Sequence, residues 1–102
     1  MHEKYDVTVV GSGMGGLGAG ALLVHRGYKT LVVEKRDIIG GRYSTKDYEG
    51  FKLPTGGLVI HKDFGIPEIF AELGLELDLV SLPEAFCRLG GKDYQMPSKG
   101  AI

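Results

Sequence analysis

Three glycines near the start of the chain have the spacing that lets a backbone approach a phosphate. Gly11, Gly13 and Gly16 form the pattern G-x-G-x-x-G, directly after the apolar run Thr8 to Val10 and at the start of a helical stretch. The first N–H groups of such a helix are free and carry a partial positive charge, so together they attract phosphate oxygens. The pattern in this strand-to-helix context predicts that the chain binds a dinucleotide through its diphosphate.

An acidic residue follows at the distance that a dinucleotide requires. Glu34 ends the second predicted strand, about 20 residues beyond the glycines. A carboxylate at this place is expected to accept charge-assisted hydrogen bonds from both ribose hydroxyls of an adenosine. The next residue, Lys35, either lies along the adenine or faces water, and the second option is favoured. Glu34 also disfavours a ribose phosphate near Arg36, as an NADP enzyme would need, because the two negative groups repel each other.

Glycines inside the first predicted helix indicate that something approaches its backbone closely. Gly16, Gly18 and Gly20 each cost roughly 0.8 to 1.0 kcal/mol relative to alanine. Their sum, about 2.5 to 3 kcal/mol, is a large part of a typical total stability of about 5 to 15 kcal/mol. Without a Cβ at Gly16 the helix can lie against its own strand. A small-residue helix that packs on a sheet without any ligand is the disfavoured alternative.

Composition excludes several classes of function. Of the 102 residues 43% are hydrophobic and 25% charged, and the formal net charge is −1 without a block of like charge, so a nucleic-acid partner is not expected. The N-terminus is too charged for a signal peptide and no segment approaches the length of a membrane span, so we expect a cytoplasmic location. Cys87 is the only cysteine, and no metal-ligand spacing or catalytic set of side chains is visible; no metal is expected, and the catalytic residues are unknown.

The order of the predicted elements indicates an α/β fold that begins with one βαβ unit over residues 5–34. Strands at Tyr5 to Val10 and Thr30 to Glu34 flank a helix from Gly15 to about Arg26. A loop with Gly-Gly-Arg occupies residues 35–42, and a hairpin and a short helix follow within residues 43–102. These later elements are predicted at Tyr43–Lys46 and Phe51–Leu53 for the hairpin, Ile66–Leu73 for the amphipathic helix, and Leu77–Val80, Phe86–Leu89 and Asp93–Met96 for short strands.

Two parallel strands cannot cover the apolar surface that this sequence predicts. The helical stretch Met14 to Val24 has no polar side chain, so it needs cover on more than one side. A parallel sheet likewise needs cover on both faces. We therefore expect the chain to be the N-terminal portion of a larger domain. A dimer that completes the sheet is the less favoured alternative, and the oligomeric state is not indicated.

The segment after Glu34 distinguishes flavoproteins from ordinary nicotinamide dehydrogenases. The runs V-V-G-S-G-M-G-G-L (residues 9–17) and E-K-R-D-I-I-G-G-R (residues 34–42) closely resemble the glycine-doublet flavoproteins, which include the amine oxidases, protoporphyrinogen oxidase and the phytoene desaturases. Residues 50–57 and 67–74 are most similar to the phytoene desaturase and carotenoid oxidoreductase branch. One departure is Pro54, where the family commonly carries Asp. The resemblance implies that residues 1–102 form the N-terminal portion of a Rossmann-like FAD-binding domain, incomplete relative to a larger FAD/NAD(P)-binding fold.

The same resemblance implies which residues hold FAD. The backbone of the glycine loop would lie near the diphosphate, Glu34 on the adenosine ribose, and Gly41 and Arg42 beside the diphosphate. The segment from Thr55 to Ile60 would approach the flavin. The candidate cofactor-binding residues are Gly11, Ser12, Gly13, Met14, Gly15, Gly16, Glu34, Lys35, Gly41, Arg42, Gly57 and Leu58.

As to activity, the resemblance implies a flavin-dependent oxidoreductase whose partner is a small, hydrophobic substrate. An isoprenoid or carotenoid-like molecule that is desaturated or isomerised is favoured, and an amine or a porphyrinogen is the alternative. Rab escort and GDP-dissociation-inhibitor proteins share the architecture without flavin chemistry, so a non-enzymatic binding protein is a further alternative. Any peripheral membrane contact is expected to come from segments outside this stretch, which alone is expected to be inactive.

Overall fold

A parallel βαβ unit followed by two hairpins and a second helix makes up the protein in its computed structural model, which describes residues 2–96. The α/β fold class predicted from the sequence is thereby confirmed. The elements are β1 (Val7–Val10), α1 (Met14–His25), β2 (Thr30–Val33), a 3-10 turn (Gly41–Tyr43), β3 (Thr45–Tyr48), β4 (Phe51–Pro54), α2 (Ile66–Leu73), β5 (Phe86–Leu89) and β6 (Lys92–Gln95).

Strands β1 and β2 pair in parallel, so their carboxyl ends meet at one edge of the sheet. The register runs from Val7 opposite Thr30 to Val10 opposite Val33. Beyond the last pair, the N–H of Gly11 still donates to the carbonyl of Val33 over 2.7 Å. This bond places the turn after β1 beside the end of β2, where the predicted site residues lie.

The glycines of α1 lie where neighbouring groups come closest to the helix. A Cβ on Gly16 would stand 1.9 Å from the carbonyl oxygen of Gly11, and one on Gly20 would stand 2.8 Å from the side chain of Val32 in β2. On another side, a Cβ on Gly18 would meet the tip of Ile69 in α2 at 2.8 Å. The close approach predicted from the energetic cost of these glycines is confirmed, and α1 is covered on two sides by β2 and α2.

Helix α2 has the bounds that its apolar spacing predicts. Glu68 caps its start by accepting from the N–H of Gly65 over 3.3 Å, and Gly74 ends it in the left-handed region at φ 70°. An ion pair joins the two helices, since the guanidinium of Arg26 donates to the carboxylate of Glu72 over 2.6 Å. The side chains of Arg26 and Glu72 remain 57% and 42% exposed.

Removing this ion pair should change stability little. We expect Arg26→Ala to lower the free energy of unfolding by no more than about 1 kcal/mol, because water and salt screen exposed pairs and the ordered side chains lose entropy. Urea unfolding of the parent protein and of Arg26→Ala, at low and at high salt, measures the difference in the free energy of unfolding. A loss well above that limit would mean that the pair, rather than apolar packing, holds α2 on α1.

Three sequence predictions about the later elements need correction. The first hairpin turns at Glu49 and Gly50, which both have positive φ (47° and 85°), so its first strand is β3 (Thr45–Tyr48) and not Tyr43–Lys46. Two such residues form the tight turn that matches strand twist. The run Leu77–Val80 forms no strand, because no strand within residues 2–96 pairs with it. The last strand, β6, spans Lys92–Gln95 and is therefore shifted by one residue toward the N-terminus from the predicted Asp93–Met96.

Burial of apolar side chains is incomplete within residues 2–96. No hydrophobic residue there is fully buried, and Val10 is 84% exposed at the end of β1. The radius of gyration is 17.9 Å, compared with about 13 Å for a compact domain of about 100 residues. The described residues therefore supply only part of the cover that the sheet and α1 require. No helix among them has the length and apolarity needed to cross a membrane.

Candidate functional site

The turn between β1 and α1, residues 11–16, carries backbone donors without partners among the described residues. Gly11 adopts φ 101°, which residues with a side chain rarely do, and this conformation leads the chain into the helix at Gly13. The N–H groups from Gly13 to Gly16 find no acceptor within the described residues. We call residues 11–16 the phosphate loop, because free donors at a helix start form an anion site.

Glu34 is held directly at the phosphate loop by Ser12. Its Oε2 accepts from the backbone N–H of Ser12 over 2.8 Å and from the Ser12 hydroxyl over 2.7 Å, while Oε1 accepts from the N–H of Arg36 over 3.1 Å. Ser12 is only 2% exposed. A carboxylate has about four acceptor positions, so Oε1 remains open to one further donor.

These bonds keep Glu34 ionised. The Ser12 hydroxyl, then the Ser12 and Arg36 N–H groups, lower the pKa of Glu34 from 4.5 to about 2. Because the folded-state pKa is the lower one, this interaction stabilises the fold at any pH above 4.5 and is lost as the pH falls toward 2. At neutral pH the loop therefore presents a carboxylate that only accepts hydrogen bonds.

Loss of the Ser12 hydroxyl should reverse this effect on Glu34. We expect Ser12→Ala to raise the pKa of Glu34 from about 2 toward 4.5, because the largest cause of the shift is removed. A carboxyl-carbon NMR titration measures it, with Ser81→Ala at an exposed position as the control. An unchanged pKa in Ser12→Ala would show that the hydroxyl does not hold the carboxylate.

The glycine doublet lies against the phosphate loop. The N–H of Gly40 donates to the carbonyl of Ser12 over 2.8 Å. Gly40 and Gly41 have φ values of 108° and 57°, and a Cβ on Gly41 would stand 3.1 Å from the Cα of Gly13. Only glycine satisfies both the conformation and the contact, so the doublet allows two loops to touch. Arg42 follows with an exposed side chain that has no hydrogen bond to the described residues.

The other candidate residues lie further from this contact. Lys35 is exposed beside Glu34, and Leu58 is 76% exposed. Gly57 lies behind the doublet, where its N–H donates to the carbonyl of Arg42 over 2.7 Å. A Cβ on Gly57 would stand 2.5 Å from the ring of Tyr43. Packing against the ring of Tyr43 thus explains why position 57 holds a glycine, which the sequence prediction did not include.

A groove of about 530 Å³ lies elsewhere, between α1, β2 and α2. Its walls are apolar and include Leu17, Val24, Val32 and Leu73. None of these residues is a candidate for cofactor binding. The groove is the uncovered cleft between packed elements and differs in chemistry from the polar phosphate loop.

Sequence reasoning missed Ser44 and Thr55. Ser44 is 4% exposed and its hydroxyl lies 2.5 Å from that of Thr55. The only signal in the sequence is a small polar residue shortly after the doublet, which by itself indicates nothing. Within residues 2–96 no group of three His, Cys, Asp or Glu side chains is arranged to hold a metal ion. Within residues 2–96 the site thus combines backbone donors without acceptors and the carboxylate of Glu34.

Comparison with known proteins identifies a family and several relatives of the chain. Residues 9–73 match the family model of the NAD(P)-binding Rossmann-like domain. The chain is 35% identical to a phytoene desaturase of Fusarium fujikuroi over 74 residues, 72% of this chain and 13% of that protein. It is 36% identical to the flavin-containing amine oxidase A of Sus scrofa over 100 residues, 95% of this chain and 19% of that protein.

A solved structure shows the same fold. A redesigned putrescine oxidase superposes with a TM-score of 0.61 at 30% sequence identity, over 92% of this chain and 22% of that one. The resemblance to amine oxidases and phytoene desaturases is confirmed by these matches. The chain spans less than a quarter of the length of each of these three proteins.

Proposed function

The chain belongs to the NAD(P)-binding Rossmann-like domain family, and we propose that it binds FAD for a flavin-dependent oxidoreductase. It is a dinucleotide-binding portion of an oxidoreductase family that includes phytoene desaturases and amine oxidases. The observation that carries the proposal is that Ser12 makes three hydrogen bonds, which join Glu34 and the glycine doublet to the phosphate loop. Its N–H and hydroxyl hold Glu34, and its carbonyl holds Gly40.

The residues of the site fit the adenosine diphosphate half of FAD. The free N–H groups from Gly13 to Gly15 would bind diphosphate oxygens. The open position on Oε1 of Glu34 would accept one ribose hydroxyl, and acceptance from both hydroxyls would require the bond from Arg36 to be released. In this assignment residues 1–102 contribute the phosphate loop, the ribose carboxylate and the doublet.

The glycine doublet favours FAD over NAD. It is followed directly by Arg42, whose side chain is exposed, and a guanidinium offers fixed donors that match phosphate oxygens. Gly41 allows that loop to approach Gly13 closely. A simple NAD site needs only the phosphate loop and the ribose carboxylate, so the second loop supports a flavin dinucleotide.

The reaction follows from the cofactor. Bound FAD would supply hydride acceptance from a substrate carbon, while the protein orients the two partners and excludes water. The residues described here would fix the adenosine end and leave the flavin end to other segments. For the substrate we propose a small hydrophobic isoprenoid or carotenoid-like molecule that is desaturated or isomerised, with an amine or porphyrinogen as the second candidate. The similarity to the phytoene desaturase supports the first choice and that to the amine oxidase the second. We place the protein in the cytoplasm.

The test is the absorption of the complete protein in which this chain occurs. We expect a yellow protein that absorbs in the near ultraviolet and blue and releases one FAD per chain on denaturation. Without oxygen, a true substrate should reduce the flavin and bleach its colour. We expect this from either phytoene-like compounds or amines, but not from both. A colourless protein that takes up no added FAD would refute the proposal, and capture of a prenylated GTPase by such a protein would support an escort-type function instead.

A further inference from the structure

Two hydroxyl side chains meet behind the glycine doublet. Ser44 is one of two fully buried polar residues within residues 2–96, and its hydroxyl lies 2.5 Å from that of Thr55. Thr55 also donates to the carbonyl of Ser44, from its N–H over 3.0 Å and from its hydroxyl over 3.1 Å. Thr55 is itself exposed. Buried hydroxyls are almost always hydrogen-bonded, so the buried hydroxyl of Ser44 depends on Thr55 for its partner.

Ser44 touches the doublet directly. Its N–H donates to the carbonyl of Gly41 over 3.3 Å, and its Cα lies 3.2 Å from where a Cβ on Gly40 would stand. Since Gly40 in turn donates to the carbonyl of Ser12, a continuous set of contacts runs from Thr55 through Ser44 and the doublet to the phosphate loop.

The residues after Thr55 fit against the same loop. The N–H of Gly57 donates to the carbonyl of Arg42, and a Cβ on Gly56 would stand 2.4 Å from that carbonyl oxygen. The second pair of glycines therefore allows the chain after β4 to lie on the back of the doublet. The doublet is thus held from the chain after β4 as well as from the phosphate loop.

We propose that Ser44 and Thr55 form a latch that holds residues 40–42 against the phosphate loop, and that both are positioning residues for diphosphate binding. This inference rests on the proposed FAD function. The latch is formed by the return of the β3–β4 hairpin, since Ser44 precedes β3 and Thr55 follows β4. The hairpin thereby gains a role, because its closure sets the place of Arg42.

The test is FAD titration of the complete apoprotein with three variants. Thr55→Val keeps the volume but loses the hydroxyl, and we expect its FAD dissociation constant to rise about fivefold to thirtyfold, the factor that one or two kcal/mol produces. Thr55→Ser keeps the hydroxyl and should bind nearly as the parent does. Thr45→Val is the matched control, because Thr45 is exposed on β3 and makes no side-chain hydrogen bond to the described residues.

Coupling separates positioning from a general loss of stability. In an Arg42→Ala background, Thr55→Val should weaken FAD binding by less than about twofold, because the loop no longer has a side chain to place. Ser44→Ala removes the other hydroxyl of the pair and tests the latch independently. The double variant Ser44→Ala/Thr55→Val should bind FAD no more weakly than either single variant, since no unpaired hydroxyl remains.

The outcomes are distinct. A Thr55→Val protein with the parent's dissociation constant overturns the latch, and so does a full loss that persists beside Arg42→Ala. If Thr55→Val does not fold, the Thr55→Ser and Ser44→Ala titrations decide, and parental affinity in Ser44→Ala overturns the latch. A parent protein that binds no FAD refutes the proposed function itself, before any variant is compared.

Discussion

Replacing Gly16 with alanine is expected to weaken FAD binding strongly. The new Cβ would stand 1.9 Å from the carbonyl oxygen and 2.9 Å from the carbonyl carbon of Gly11. Both are backbone atoms, so the phosphate loop must move away from α1 and its free N–H groups lose their common direction. Loss of two charge-assisted hydrogen bonds, each about 1.5 to 3 kcal/mol, weakens binding by roughly 100-fold or more.

The same substitution should also destabilise the protein. Overpacking costs about 1 to 3 kcal/mol, and the gain in helix propensity returns about 1 kcal/mol. Gly18→Ala is the matched control, because its Cβ meets only the tip of the Ile69 side chain, which can rotate. Titration with FAD and urea unfolding measure both effects. Parental FAD affinity in Gly16→Ala would show that the backbone of the loop does not bind the diphosphate.

Replacing Glu34 with alanine is expected to weaken FAD binding by roughly 10- to 100-fold. Hydrogen bonds to charged groups contribute about 1.5 to 3 kcal/mol, and each 1.4 kcal/mol is a factor of ten. The variant loses the acceptor for the ribose, and the Ser12 N–H and hydroxyl lose theirs. In the parent protein affinity should stay constant from neutral pH down to the usual range of carboxyl groups, since the pKa of Glu34 is about 2.

FMN separates the two roles of Glu34. FMN has no adenosine ribose, so Glu34→Ala should leave its affinity unchanged if the carboxylate acts on that ribose. Glu76→Ala is the control, since Glu76 is exposed and makes no side-chain hydrogen bond to the described residues. Equal losses for FAD and FMN would show that Glu34 serves only to hold the loop through Ser12.

The βαβ unit was predictable because its signals are local. The glycine pattern and the apolar strands act within a few residues of the element they shape, and so does Gly27, which takes φ 93° just after α1. The close packing of α1 followed from the energetic cost of its glycines. Helix α2 (Ile66–Leu73) was predicted with its observed bounds because Pro67 and Gly74 mark both ends of a clear apolar spacing.

The contacts between loops were not predictable. Nothing near Ser12 in the sequence shows that its hydroxyl reaches Glu34, 22 residues away, or that its carbonyl accepts from Gly40. The hairpin was misplaced because nothing in the sequence indicates the positive φ of Glu49, which forms the turn together with Gly50. Leu77–Val80 has the composition of a strand, but a strand needs a partner that composition does not supply.

The relative affinity of the complete apoprotein for FAD and FMN tests the central claim most directly. FMN carries the flavin and one phosphate but lacks the adenosine that Glu34 and the phosphate loop would hold. We expect FAD to bind roughly 100-fold or more tightly than FMN, a difference of about 2.7 kcal/mol or more. Equal affinities would contradict the assignment of the phosphate loop, Glu34 and the doublet to an adenine dinucleotide.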